Sequence, residues 1–172
     1  MENKRLAWLQ AHIGKSTKNS PSPFAHWLDG VLEQAELGEV AVRFAVRPDM
    51  TNPFGMLHGG VISGMLDDVI GTAVASLNKE QAFVSLNLVV DFINAAKVSD
   101  EVVAKAKVIR NGRTVVYVQA ELIHHSDKIL AKGLIGFGIN TYDLSDLSWD
   151  RNGVYKVETF LNGKTIYGYQ FD

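Results

Sequence analysis

The sequence predicts an α+β fold in which an antiparallel sheet wraps around one long buried helix. Three observations lead to this fold class. The segment from His58 to Leu77 is apolar around most of its helical circumference, and a helix of this kind is normally buried. Four later segments alternate apolar and polar residues with a period of two, as strands do. Asn111-Gly112 between two of them indicates a tight two-residue hairpin, because both residues tolerate positive φ.

The part before the long helix is predicted to contain a short helix and a hairpin. Residues 2 to 13 carry apolar side chains at helical spacing, and Gly14 marks the end of that segment. A polar, proline-containing loop follows. The segment from Phe24 to Val46 is interpreted as two extended runs with a turn near residues 37–39.

The strands after the long helix are predicted to follow one another as successive hairpins. They span Phe83 to Phe92, Glu101 to Arg110, Thr114 to His125, and Ile129 to Asn140. Near the end of the chain, Val154 to Phe160 and Thr165 to Phe171 flank Asn162-Gly163 and predict one further hairpin. We therefore expect a helix and loop over residues 1–23, the α+β domain over 24–143, and an extension over 144–172.

Composition excludes several classes of function. The 172 residues can bury a core without disulfides or a structural metal. The chain has no cysteine, which removes thiol nucleophiles, iron–sulfur clusters and thiolate zinc sites. A formal net charge of −2 gives no global reason to bind nucleic acid or an anionic membrane. With no signal peptide or membrane-spanning run recognised, we expect a cytoplasmic protein.

The start of the long helix carries the clearest chemical signal. His58-Gly59-Gly60 at a loop-to-helix junction leaves backbone N–H groups unpaired, and the helix dipole adds partial positive charge there. Such an end can bind or polarise an oxygen atom.

One stripe of the same helix combines small residues with a carboxylate. It comprises Gly60, Gly64, Asp67 and Gly71, which share a face at about 100° per residue. Each interior glycine costs roughly 1 kcal/mol relative to alanine, so we infer that something approaches this face closely. Asp67 is expected in the resulting crevice, and Asp68 outside it. A structural alternative, in which Asp67 pairs across the fold and the glycines only allow tight packing, is equally supported by the helix alone.

The run Asn52, His58-Gly59-Gly60 and Asp67, followed by a strand with Ser85, resembles the hot-dog-fold acyl-CoA thioesterases of the phenylacetate-pathway and thioesterase-superfamily-member type. The resemblance extends over about residues 27 to 140. It implies the hot-dog fold and hydrolysis of acyl-CoA to a carboxylic acid and free CoA. It also implies a homodimer or homotetramer whose active sites are shared between subunits. Neither a metal nor another cofactor is expected.

The resemblance also implies a role for each residue of the site. Asp67 would be the general base or the nucleophile, and the backbone N–H of Gly59 would donate to the thioester carbonyl. Asn52 would orient the water or the thioester, and His58 would support the loop. Ser85 would form a hydrogen bond near the carboxylate or the water, from the partner chain. Asp67 and Asn52 are expected to come from different subunits.

Substrate binding is assigned to four further residues. Gly60 and Gly64 would line the crevice, with the N–H of Gly60 as an alternative donor to the carbonyl. Arg110 and Arg113 flank the predicted turn and would stand opposite each other, an unfavourable pair that a CoA phosphate would neutralise. Two solvated arginines at an exposed turn are an equally good interpretation.

Three functions stay open at this point. The first is acyl-CoA hydrolysis, and the second is non-catalytic binding or sensing of acyl-CoA in the same crevice. The third, a hot-dog hydratase, would need a second acid or base, and no such residue has a suitable context.

His124-His125 is not interpreted as a metal site, because neighbouring strand residues point to opposite faces. The sequence does not identify the acyl group, because selectivity for the acyl chain depends on the depth of the crevice and on residues of a neighbouring subunit.

Overall fold

The computed structural model describes residues 2–80, 83–139, 156–161 and 164–170. The chain divides into two compact units, Met1–Ile139 and Asn140–Asp172. The helices are α1 Lys4–Gln10, α2 Pro23–Leu28 and α3 Gly59–Ser76. The strands of the first unit are β1 Val31–Glu36, β2 Glu39–Ala45, β3 Phe83–Phe92, β4 Glu101–Asn111, β5 Val115–His124 and β6 Ile129–Ile139.

The predicted hot-dog architecture is confirmed. Six antiparallel strands form one sheet in the order β1-β2-β4-β5-β6-β3, and the 18-residue helix α3 packs against it. The buried side chains of α3 are Ile62, Met65, Leu66, Val69, Ile70, Ala73, Val74 and Ser76. The period-two alternation of β4 and β5 faces them with Val102, Ala104, Ala106, Val116, Val118, Ala120 and Leu122, all buried.

The C-terminal end of α3 is fixed by a buried hydroxyl. Ser76 is fully buried; its Oγ donates to the carbonyl of Ala73 at 2.7 Å and accepts the N–H of Gly38 at 2.7 Å. Gly38 has a φ of +77°, and a Cβ there would come within 3.2 Å of Val108. The turn between β1 and β2 therefore needs glycine and is tied directly to the central helix.

The interpretation of Phe24 to Leu28 as extended chain is wrong, because these residues belong to α2. Ser22 is the N-cap and accepts the N–H of Ala25 at 3.2 Å, and Pro23 occupies the first helical turn. Serine followed by proline is a standard helix start. Strand β1 begins only at Val31.

The predicted succession of hairpins after α3 is correct only for β4, β5 and β6. Strand β3 does not pair with β4; it lies at the edge of the sheet beside β6. The connection from residue 93 to residue 100 carries the chain from this edge to the middle of the sheet. As a result, β3 has a neighbouring strand on one side only within the described residues.

The hairpin between β4 and β5 is not the predicted two-residue turn. Arg110 pairs with Tyr117, a bulge places Ile109 out of register, and the loop runs over residues 112–114. Arg110 and Arg113 therefore do not stand opposite each other.

In the second unit, strands β7 Lys156–Leu161 and β8 Lys164–Gln170 pair antiparallel, in the segment where a last hairpin is predicted. The turn residues Asn162 and Gly163 lie outside the described residues. The three-part division of the chain stays a prediction. None of the helices in the described ranges has the length and hydropathy that crossing a bilayer requires.

Candidate active site

His58 caps the helix that carries the site. It is the N-cap of α3, with extended φ and ψ, and its Nδ1 accepts the N–H of Gly60 at 2.9 Å. The N–H of Gly60 is therefore already used, so Gly60 is not the alternative carbonyl donor. The N–H of Gly59 has no acceptor within the described residues, which leaves it as the backbone donor at this helix end.

Asn52 organises the loop before the helix. Its Oδ1 accepts the N–H of Phe54 at 2.9 Å and the N–H of Met56 at 3.2 Å. These two bonds fix the orientation of the amide. Within the described residues its NH₂ group makes no hydrogen bond, so this is the group that a ligand could use.

Asp67 is held by Ser85. The Oγ of Ser85 donates to Asp67 Oδ1 at 3.0 Å, and both residues belong to the same chain, not to partner subunits as the resemblance implied for Ser85. A β-bulge at Leu86 makes this contact compatible with the rest of β3. The extra residue brings Ser85 to the helix-facing side, on which Leu88 and Val90 also pack against the core.

Asp68 lies in the same cavity as Asp67, contrary to the expectation that it would fall outside the crevice. Both line a cavity of about 970 Å³, of which Ser22 forms part of the opposite wall. Ser22 Oγ lies 3.5 Å from Asp68 Oδ1. Burial raises the pKa of Asp68; the Ser22 contact opposes this, and the charge of Asp67 adds to it. From the sequence, only residues on one stripe of α3 were expected in the crevice, and Asp68 is outside that stripe. The cavity also has walls from α1 and α2 and is wider than the stripe, so Asp68 lines it as well.

Two glycines on the stripe of α3 that contains Asp67 have different surroundings. At Gly64, a Cβ would approach the Phe24 ring to 2.6 Å, so this glycine accommodates the protein's own α2. At Gly71, a Cβ would meet no atom within 4 Å beyond its chain neighbours and the adjoining backbone of α3, and the residue lines the cavity. The predicted close approach is therefore made by Phe24 at Gly64, and the open crevice is at Gly71.

Gly59 and Asp67 are separated along the helix. They lie eight positions apart, which corresponds to about 12 Å along the axis. A hydrogen-bond donor must come within about 3 Å of the carbonyl oxygen that it stabilises. Within one chain, the Gly59 N–H and the Asp67 carboxylate are therefore too far apart to contact one and the same oxygen atom.

Known proteins share parts of this sequence and this fold. A family model described as Thioesterase superfamily matches residues 54–131. Acyl-coenzyme A thioesterase 13 of Homo sapiens is 26% identical over 103 residues, covering 59% of this chain and 74% of that protein. A solved phenylacetic acid degradation-related protein of Ralstonia eutropha JMP134 is 26% identical, with a TM-score of 0.67 over 80% of this chain and 100% of that one. The chain thus has the hot-dog fold and is similar to thioester hydrolases over part of its length.

The segment of the chain that matches the family model contains His58, Gly59, Asp67 and Ser85, and it begins two residues after Asn52. A hypothetical thioesterase of Streptococcus pneumoniae TIGR4, solved with coenzyme A, shares the fold: the TM-score is 0.62 and the identity 22%, over 65% of this chain and 86% of that one.

The other residues singled out in the sequence lie away from Asp67. Arg110 and Arg113 are exposed at the β4–β5 hairpin, whose Gly112 carbonyl accepts a hydrogen bond from Lys79 Nζ. His124 Nε2 lies 3.3 Å from Asp100 Oδ2. Within the described part of the chain, no group of three or more metal-binding side chains comes together.

Proposed function

We propose that the chain hydrolyses acyl-CoA to a carboxylic acid and free CoA, with Asp67 as the base that activates water or as the nucleophile. The observation that carries this proposal is the Asp67 carboxylate, held by Ser85 at 3.0 Å and lining a cavity large enough for a substrate group. A thioester carbonyl is already electrophilic. One carboxylate and one N–H donor are therefore sufficient for its hydrolysis.

The proposed site is composite, with Asp67 and Ser85 from one subunit and Gly59 and Asn52 from another. The separation of about 12 Å between Gly59 and Asp67 along one helix supports this arrangement, because the helix end of a second copy could come closer to Asp67. In this site the Gly59 N–H would stabilise the oxyanion, the Asn52 NH₂ would orient the thioester or the water, and His58 would maintain the helix end.

A homodimer or homotetramer would supply that second copy. Strand β3 is at the sheet edge and exposes Val89 and Phe92, each at 57% of its surface. An apolar edge strand with free backbone groups is a ready surface for pairing with another strand. Pairing of two β3 edges would extend the sheet across two subunits and bury these side chains.

CoA is the proposed leaving group because a structural neighbour was solved with coenzyme A and a sequence relative is an acyl-coenzyme A thioesterase. The assignment of Arg110 and Arg113 to CoA phosphates now rests on the resemblance alone, since their like-charge pairing is absent. The proposal includes a cytoplasmic location and no nucleic-acid or membrane partner, in line with the net charge of −2.

The test is a thiol-release assay over a panel of acyl-CoAs with the wild type, Asp67→Ala and Asp68→Asn. We expect Asp67→Ala to lower kcat by roughly 100-fold or more, the scale of general base catalysis. Asp68→Asn serves as the matched control, because it keeps a polar side chain at the neighbouring position. Light scattering would check that each variant keeps the oligomeric state of the wild type.

Two results would contradict the proposal. Full activity of Asp67→Ala would remove this residue from the mechanism. Saturable binding of acyl-CoA without thiol release by the wild type would favour the alternative, a non-catalytic acyl-CoA-binding or regulatory protein.

A further inference from the structure

The cavity beside Asp67 extends well beyond the proposed catalytic residues. It lies between α3 and the N-terminal segment, defined here as residues 3–22, and has a volume of about 970 Å³. Its lining is mainly apolar. Pockets that bind small organic ligands have about 300–1,000 Å³ and a similar character. Much of one wall therefore comes from a segment that precedes the part of the chain matched by the family model.

The helix wall of this cavity forms a track that starts at Asp67. Gly71 and Ala75 follow Asp67 at intervals of four residues, and all three line the cavity. They lie about 6 Å and 12 Å from Asp67 along the helix axis. Ser85, which holds Asp67, also lines the cavity. The space is therefore continuous with the carboxylate that is proposed to act on the thioester.

Gly71 leaves open space along this track. Apart from its chain neighbours and the adjoining backbone of α3, no protein atom lies within 4 Å of the point that its Cβ would occupy. Glycine is among the least favourable residues in a helix interior, and no neighbouring side chain explains it here, whereas Phe24 explains Gly64. The space next to Gly71 is large enough for a ligand group to lie directly against the helix backbone.

The opposite wall is formed by α1. Trp8 and Leu9 line the cavity from this helix, and Trp8 stacks on His12 with a distance of 3.9 Å between ring centroids. Lys4, Arg5 and, after the helix, Lys15 also line it but are exposed residues, so their apolar stems can face the cavity while their charges stay in water. Together with the carboxylates of Asp67 and Asp68, this lining suits an uncharged chain better than a phosphate.

We infer that this cavity binds the acyl chain of the substrate, and that the N-terminal segment and Gly71 set its length, so that linear acyl groups of medium length or longer are the substrate class. The inference rests on the proposed function, since the chain is placed by its thioester at Asp67. The acyl chain would run from Asp67 past Gly71 toward Ala75, with Trp8 covering it. No residue outside the first unit is required.

The experiment compares Gly71→Phe and Ala75→Phe with the wild type on acetyl-, hexanoyl- and dodecanoyl-CoA. Both side chains would project into the cavity, but Gly71 is nearer to Asp67. We expect Gly71→Phe to lower kcat/KM at least tenfold for hexanoyl- and dodecanoyl-CoA, a typical effect of changing an apolar pocket. Ala75→Phe should affect dodecanoyl-CoA by a similar factor and hexanoyl-CoA much less. Acetyl-CoA is the internal control on every variant.

Trp8→Ala tests the opposite wall, and we expect it to raise KM for dodecanoyl-CoA more than for acetyl-CoA. Thermal melts would check folding; if Gly71→Phe is unfolded, the profiles of Ala75→Phe and Trp8→Ala decide. An equal loss on all three substrates would assign the cavity to CoA and overturn the inference, as would unchanged profiles. If the wild type hydrolyses none of the acyl-CoAs, the proposed function fails and the acyl site with it.

Discussion

The N–H of Gly59 can be removed with little disturbance of its surroundings. Gly59 is the first residue of α3, a position that tolerates proline, and His58 has the extended conformation that a residue before proline prefers. We expect Gly59→Pro to lower kcat by about 100- to 1,000-fold, the usual effect of losing one oxyanion donor. The measurement is steady-state hydrolysis of a good acyl-CoA substrate.

Gly59→Ala distinguishes the loss of the N–H donor from the effect of a larger side chain. It keeps the N–H and adds only a Cβ, which would lie 3.4 Å from the Phe92 ring. If Gly59→Ala and Gly59→Pro lose the same activity, the effect is steric and the backbone N–H has no special role.

Asp68 makes stability depend on pH. Burial raises the pKa of Asp68 above its unfolded value. Below the unfolded value the carboxyl is protonated in both states and its contribution to stability is intact. As pH rises through the folded pKa, the buried carboxyl must ionise and stability is lost. We therefore expect Asp68→Asn to raise Tm by a few degrees at pH 7.5, with a difference that shrinks toward zero near pH 3.5.

Thermal melts of both proteins from pH 3.5 to 7.5 would test this expectation. Glu80→Gln is a suitable control, because Glu80 is exposed. A Tm difference for Asp68→Asn that is independent of pH would show that the carboxyl is not the cause.

At the residue level, the pattern of one helix was sufficient to single out Asp67 and the helix end, and the resemblance singled out Ser85, which contacts Asp67 in the structure. It was insufficient for Asp68, Ser22 and Phe24. These residues meet only because α2 packs along α3, and no local pattern encodes that contact. The side-chain bond from Gly60 to His58 was missed for a different reason: a histidine N-cap is less usual than serine, threonine, aspartate or asparagine.

At the level of elements, the junction between α3 and the β1–β2 turn depends on one hydroxyl. Ser76→Ala would leave the buried N–H of Gly38 without its acceptor. An unsatisfied buried polar group costs about 1–3 kcal/mol, which corresponds to a decrease in Tm of several degrees for a chain of this length. Urea unfolding would measure it, with the exposed Thr114→Ala as control. A change below about 0.5 kcal/mol would mean that water replaces the hydroxyl.

The elements that were predicted well are those with a complete local signal. Helix α3 and strands β4 and β5 have uninterrupted periodicity, and their observed bounds differ from the predicted ones by one residue at most. The misassigned α2 has only six residues, too few to show a helical period. The position of β3 beside β6 is a long-range pairing, and the alternation of a strand does not specify which neighbour it takes.

For the whole molecule, the composite site predicts complementation between two inactive variants. A mixture of Asp67→Ala and Gly59→Pro chains would contain heterodimers in which one of two sites has both an intact Asp67 and an intact Gly59. If subunits mix at random in equal amounts, half of the dimers are mixed, so about one quarter of wild-type activity should return. The assay is thiol release after the two proteins are unfolded and refolded together.

The control is a mixture of each variant with itself, treated identically. A co-refolded mixture that stays as inactive as the controls would contradict a site shared between subunits.

The bulge at Leu86 divides β3 into two halves of opposite parity. Before it, odd-numbered residues such as Phe83 and Ser85 face the helix; after it, even-numbered residues such as Leu88 and Val90 do. If the same residues paired without the bulge, no frame would serve both ends: either the hydroxyl would turn away from Asp67, or the aliphatic side chains would turn toward water. Chemistry and packing in this strand are thus locked to each other by a single irregularity.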